Sequence, residues 1–190
     1  MIITKTKIPD VFVIEPKVFG DDRGYFTETF RLDKLEDALG YKVKFIQDNE
    51  SKSSFGVLRG LHYQMAPFSQ TKLVRVIEGS VLDVAVDIRK GSPTFGEHVA
   101  VELTGENKKQ LFIPRGFAHG FLVTSPTATF LYKVDNYYSP ENDRGLLYND
   151  EEIGIDWGID IEKILLSEKD SKQPLLKDAD LFDYSKKLYT

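Results

Sequence analysis

Residues 72–88, KLVRVIEGSVLDVAVDI, decide the fold of this chain. Two β-branched apolar runs, KLVRVI and SVLDVAVDI, flank Glu78-Gly79, and a glycine-bearing pair between such runs reads as the turn of a hairpin joining two paired strands. Outward from it, short β-branched or aromatic runs separated by turn residues recur at residues 11–15, 25–30, 43–47, 57–64, 97–103, 109–113, 119–123 and 129–136. About ten strands at this spacing predict a sandwich or barrel. Helical period is scarce. It surfaces at residues 31–39, where Leu32, Leu35 and Leu39 share a face and Gly40 offers a C-terminal cap. After Trp157 the run IDIEKILLSEKDSKQPLLKDADLF predicts short helical turns wrapped around the strands. No repeat, low-complexity tract or linker interrupts the sequence, so residues 1–190 are expected to form one domain.

Hydrophobic residues make up 41% and charged residues 29%, the balance of a chain that buries a core rather than one that stays disordered. The formal net charge of -5 disfavours nucleic acid and anionic membranes as partners. A small anion such as a nucleotide diphosphate is still admissible, because a few Arg and Lys converging in one cleft set the local potential. The absence of cysteine excludes disulfides, thiolate nucleophiles and Cys-ligated metals. The N-terminus, MIITKTKIPDVFVIEP, lacks the apolar core of a signal peptide and no later run has the length of a membrane span, so a cytoplasmic chain is expected.

The three histidines are His62 in VLRGLHYQ, His98 in FGEHVA and His119 in IPRGFAHGF. If residues 57–64 form a strand, alternation places Leu58, Gly60, His62 and Gln64 on one face, so that His62 points into a barrel. IPRGFAHGF carries a P-x-G-x-x-H pattern similar to the second motif of the cupin barrels, whose histidine looks into the cavity. A cupin metal site would also need His-x-His and a following Glu in the first motif, and Leu61-His62-Tyr63 does not supply them, so no metal is expected. A G-x-S-x-G elbow, a dinucleotide fingerprint and a P-loop are all missing. What remains is acid–base chemistry by His, Tyr, Asp and Lys in a cavity, without a cofactor.

Seven runs in order, FGDDRGYFTETF, FIQDNESKS, VLRGLHYQ, KLVRVIEGSVLDVAVDIRKGSPTFG, IPRGFAHGF, FLYKVDNYYSP and YNDEEIGIDW, resemble the RmlC family of dTDP-4-dehydrorhamnose 3,5-epimerases and span most of the chain. The resemblance implies a mainly β, cupin-type jelly-roll barrel with a few short peripheral helices. It also implies a homodimer in which N-terminal strands of one subunit extend the neighbour's sheet and help bind the nucleotide. The implied substrate is a dTDP-4-keto-6-deoxyhexose. Its 4-keto group acidifies the hydrogens on both neighbouring ring carbons, so a base, an acid and an electrophile near the ketone oxygen suffice.

By this resemblance His62 is the base, and Asp170 in LSEKD accepts its other N–H. Lys72 stands near the ketone oxygen, and Tyr132 in FLYK serves the opposite ring face. Tyr138 and His119 are supporting candidates, and Asp83 is a hypothetical partner for orienting His119. Arg23 and Arg59 match diphosphate clamps, Glu28, Gln47 and Asn49 match nucleotide contacts, and Lys169 a further contact. After YYSP the family usually has a substrate-contacting glutamate, whereas this chain has END, making Asp143 the nearest match. Plainer roles compete with these: a solvated strand end for Lys72, a core tyrosine for Tyr132, a surface residue for Lys169. Rival functions are a mono-epimerase of C3 or C5 alone, a sugar ketoisomerase, a non-catalytic sugar-nucleotide sensor and a metal-dependent cupin oxygenase.

Overall fold

The computed structural model describes residues 1–189. Four strands, β1 (Ile2–Lys5), β2 (Phe12–Glu15), β3 (Val18–Asp21) and β4 (Gly24–Thr27), precede the helix α1 (Leu32–Leu39). They are followed by β5 (Gln47–Ser54), β6 (Leu58–Gln64), β7 (Lys72–Glu78), β8 (Ser80–Asp87), β9 (Arg89–Lys90), β10 (His98–Thr104), β11 (Gln110–Ile113), β12 (Phe117–Val123), β13 (Thr127–Val134) and β14 (Asp143–Gly145). Three 3-10 turns, at Ile161–Lys163, Asp170–Lys172 and Leu176–Asp178, lead to β15 (Phe182–Asp183). A six-stranded sheet in the order β1-β2-β11-β7-β13-β5 faces a five-stranded sheet in the order β10-β8-β12-β6-β14. Val74, Val76, Leu111 and Phe130 of the first pack with Val81, Ala85, Phe117 and Phe121 of the second in one core. Two packed antiparallel sheets filled by their inner faces agree with the sandwich or barrel that the strand spacing predicts and make the jelly roll that the family resemblance implies.

The decisive stretch folds differently from its simplest reading. β7 pairs with β11 and β13, whereas β8 pairs with β10 and β12, so Glu78-Gly79 is a corner between sheets and not a hairpin turn. Its polar groups are satisfied by neighbours: Gly105 N–H donates to the Gly79 carbonyl at 2.9 Å and Ser80 N–H to Ser125 Oγ at 2.8 Å. Gly79 has φ +80°, and a Cβ there would come within 2.0 Å of the Thr127 carbonyl oxygen, so the corner admits only glycine. Alternating apolar patterning marks which residues face inward, but both sheets need that pattern, so it does not say which sheet a strand joins.

Two further expectations shift. The strand expected at 25–30 is confined to β4, which among the described residues pairs only with β3, in a hairpin whose Phe19, Tyr25 and Phe26 are exposed. The strand expected at 43–47 begins only at Gln47 and continues as the polar β5, because Val43 and Phe45 are drawn instead into a cluster with Leu35, Leu39, Phe12 and Phe112. α1 starts one residue later than expected and ends where Gly40, at φ 77°, returns its N–H to the Glu36 carbonyl. Leu35 and Leu39 face the cluster, while Leu32 is exposed. The segment after Trp157 wraps as expected. Trp157, Leu176 and Phe182 cover the outer face of the five-stranded sheet against Leu61, Val84 and Leu122. Among the described residues no helix is long and apolar enough to cross a membrane.

Candidate active site

The facing sheets leave a cleft of about 580 Å³, floored by β6, β7, β12 and β13 and walled by β5 and residues 165–170. Its polar lining is His62, Arg59, Lys72, His119, Tyr132, Asn49, Lys169 and Asp170, all singled out in the sequence, together with Glu50, Ser51 and Ser167. His62, Arg59 and His119 come from the five-stranded sheet; Lys72, Tyr132 and Asn49 come from the six-stranded one.

Arg59 and His62 share the cleft because β6 bulges. His119 is opposite His62 and Phe121 is opposite Arg59, so two steps along β12 span three along β6. A regular strand would send residues three apart to opposite faces; the extra residue brings Arg59 round to the side of His62. Simple alternation along residues 57–64 therefore misplaces Arg59. Gly60 sits in the bulge at φ +137°, where a Cβ would lie 2.5 Å from Gly120 Cα, so the two strands cross at a glycine pair. Arg59 Nε donates to Ser53 Oγ at 3.1 Å, leaving the rest of the guanidinium for a ligand.

His62 Nε2 lies 2.5 Å from Asp170 Oδ1. The His62 side chain is 32% exposed and that of Asp170 5%, so the imidazole is reached from the cleft and the carboxylate is sealed behind it. Burial, the largest single influence, opposes ionisation of Asp170, but the hydrogen bond and charge of His62, with the Ser167 hydrogen bond and the Lys169 charge, together outweigh it and hold the carboxyl below its ordinary value. Asp170 is fixed by its place in a 3-10 turn, with its N–H donated to Ser167 Oγ at 3.1 Å. Sequence reasoning passed over Ser167, although Ser-x-x-Asp is the spacing of such a side-chain cap.

A second pair lies deeper: His119 Nε2 is 3.0 Å from Asp83 Oδ2, both side chains are buried, and His119 stacks on Phe130. Burial pulls His119 below its ordinary pKa against the opposing pull of Asp83. Lys72 Nζ donates to the His62 carbonyl at 3.2 Å. Burial lowers its pKa to about 8, with Asp143 and Asp83 pulling the other way, so at neutral pH it is still mainly a cation. Tyr132 stands across the cleft on β13, beside Phe130. Burial raises its pKa, so it stays a proton donor, and the nearby Arg59 limits the rise.

The other candidates divide. Tyr138 and Asp143 form the mouth: Tyr138 Oη donates to Asp143 Oδ2 at 3.0 Å, and Lys169 Nζ donates to the same oxygen. Gln47 Nε2 donates to Asn49 Oδ1 at 2.8 Å, behind the cleft wall. Arg23 and Glu28 do not join them within one chain. Arg23 is at the tip of the β3–β4 hairpin, paired with Asp21, and Glu28 is 3.6 Å from Arg31. Phe121 and Phe130, stacked with centroids 4.0 Å apart, line the cleft and are not singled out in the sequence, where an aromatic within an apolar strand carries no sign of facing a cleft. Among the described residues no three His, Asp or Glu side chains are grouped as a metal-ligand set.

This arrangement can take a proton from one side of a bound molecule, return one from the other, and hold negative charge between them at Lys72. Comparison with known proteins agrees with that chemistry. The family model described as dTDP-4-dehydrorhamnose 3,5-epimerase matches residues 5–178. The dTDP-4-dehydrorhamnose 3,5-epimerase of Shigella flexneri is 56% identical over 182 residues, covering 96% of this chain and 99% of the relative. The Legionella pneumophila dTDP-6-deoxy-D-glucose-3,5-epimerase, solved in complex with dTDP-4-keto-L-rhamnose, is 50% identical with a TM-score of 0.92 over 97% of this chain and 98% of that one. A 3'-monoepimerase from Streptomyces bikiniensis, in complex with dTDP-quinovose, shares the fold at 34% identity and a TM-score of 0.86, covering 91% of this chain and 87% of that one. With a family model matched along most of its length and a relative more than half identical from end to end, this chain belongs to the dTDP-4-dehydrorhamnose 3,5-epimerase family.

Proposed function

We propose that this enzyme converts dTDP-4-dehydro-6-deoxy-D-glucose to dTDP-4-dehydro-L-rhamnose by inverting C3 and C5 through acid–base chemistry alone. The observation that carries the reading is that two proton-handling groups, the His62–Asp170 pair and Tyr132, come from opposite sheets and face one cleft. His62 removes the proton next to the ketone, and Asp170 stabilises the imidazolium that results. Lys72 holds the negative charge that develops on the ketone oxygen, where a preorganised cation in a largely dry site is most effective. Tyr132 returns a proton to the opposite face, which is what makes the outcome an inversion. Once His62 has released its proton to solvent and Tyr132 has taken one up, the second carbon repeats the cycle.

Arg59 and Lys169 supply the positive charge that a diphosphate needs, Asn49 lines the same cleft with Gln47 bonded behind it, and Tyr138 joins the cleft edge through Asp143 and Lys169. Asp143 stands where the family usually has glutamate and is already engaged by Tyr138 and Lys169. A homodimer completes the site in this reading. Phe19 (51% exposed) and Phe26 (70%), on a hairpin whose strands pair with no third strand among the described residues, make an apolar arm, and its tip carries Arg23. Docked on a second copy, the arm would bring Arg23 and Glu28 to the partner's cleft. A cytoplasmic location and a role in supplying L-rhamnose for cell-surface polysaccharide go with the same reading.

The Shigella and Legionella 3,5-epimerases, at 56% and 50% identity against 34% for the 3'-monoepimerase, favour inversion at both carbons. Incubation with the keto-sugar nucleotide in D2O, read by NMR, tests it. Deuterium is expected at both C3 and C5; label at one carbon alone would make the enzyme a mono-epimerase, and label at neither would refute the reading.

A further inference from the structure

Gln64 ends β6, two residues beyond His62, and is 3% exposed. Its amide is engaged at both ends. Nε2 donates to the Phe68 carbonyl at 2.6 Å and the Tyr137 carbonyl at 3.1 Å, and Oε1 accepts the Ser139 N–H at 2.7 Å. The last two bonds bracket Tyr138, gripping the carbonyl before it and the N–H after it. In the β6–β14 ladder Gln64 is also the residue opposite Asp143, whose carboxylate receives the Tyr138 hydroxyl. Tyr138 itself is 58% exposed, so no packing of its own ring fixes where it points.

We infer that Gln64 is the positioning residue of the cleft mouth, transmitting the fixed geometry of β6 to Tyr138 and thereby setting nucleotide affinity rather than the rate of proton transfer. It deepens the reading of the cleft as a nucleotide-sugar site. The amide suits the task because donor and acceptor are both needed at once: a leucine of similar size leaves two carbonyls and one N–H unpaired, and a carboxylate keeps the acceptor while losing both donors. The loop would then be free to leave the pose in which Tyr138 reaches Asp143.

The test is a double-mutant cycle on dTDP affinity, measured by titration calorimetry, with the exchange rate at saturating keto-sugar nucleotide as a second readout. Gln64→Leu is expected to weaken dTDP binding about tenfold, while the saturated rate stays within about twofold. In a Tyr138→Ala background the same substitution should weaken binding no further. Equal weakening in both backgrounds overturns the inference, and so does a saturated rate that falls with affinity unchanged. Should Gln64→Leu not fold, as judged by circular dichroism, Gln64→Glu carries the same cycle with the Ser139 bond retained. Binding of dTDP is read independently of turnover, so a wild-type protein that binds dTDP yet exchanges no protons would sink the proposed reaction while leaving this cycle interpretable.

Discussion

Replacing Asp170 probes the pair on which the chemistry rests. Asp170→Asn keeps the size of the side chain and an oxygen facing His62 Nε2 at the 2.5 Å contact, but removes the charge. A hydrogen bond to a charged partner contributes about 1.5–3 kcal/mol and a neutral one about 0.5–1.5 kcal/mol, so the exchange costs roughly 1–2 kcal/mol when His62 carries the proton. At about 1.4 kcal/mol per tenfold, the saturated rate should fall roughly 5- to 30-fold. Asp170→Ala removes the partner altogether, and its fall should be larger, about 10- to 150-fold. KM should change by less than about twofold in both, because the Asp170 side chain is only 5% exposed and its Oδ1 is taken up by the imidazole. Steady-state assays with product separated by chromatography read these values directly. An unchanged rate in Asp170→Asn, or a rise in KM with the rate intact, would refute the argument that Asp170 works through His62.

Three further outcomes follow from other parts of the molecule. Lys72 loses its proton as pH rises through about 8, so the saturated rate should fall about tenfold per pH unit above that value, and the residual rate of Lys72→Met should lack this alkaline limb. Gly60→Ala forces a Cβ to 2.5 Å from Gly120 Cα at a φ of +137°, and chemical denaturation should register a loss of about 3 kcal/mol or more; a loss under about 1 kcal/mol would mean that the bulge relaxes easily. If Arg23 serves the partner's cleft, Arg23→Ala and His62→Ala proteins, each impaired alone, should regain activity when unfolded and refolded together, because half of the clefts in mixed dimers carry neither defect. No recovery on mixing would contradict the exchanged arm.

Much of this architecture could be read from residue patterns, and the failures have physical causes. Inward-facing apolar residues mark most strands to within a residue or two, as at β8, where alternation and β-branching leave little choice. Sheet membership was not legible, since Glu78-Gly79 suits a hairpin as well as a corner and only the remote carbonyl of Thr127 decides between them. β5 escaped notice because QDNESKSS is an edge strand bordering the cleft and needs no apolar face. In the site, His62 announced itself by its neighbours. Asp170, 108 residues away, did not: it is one of many acidic residues in a charged tail, and family resemblance rather than spacing singled it out. That Arg59 shares the His62 side of β6 was not legible from alternation, because a bulge has no signature beyond a glycine.

The most direct measurement is proton exchange by His62→Ala. With the keto-sugar nucleotide in D2O and the product followed by NMR, a single base acting on both carbons predicts that label disappears from C3 and C5 together, while dTDP still binds. Exchange at either carbon at the wild-type rate would contradict His62 as that base.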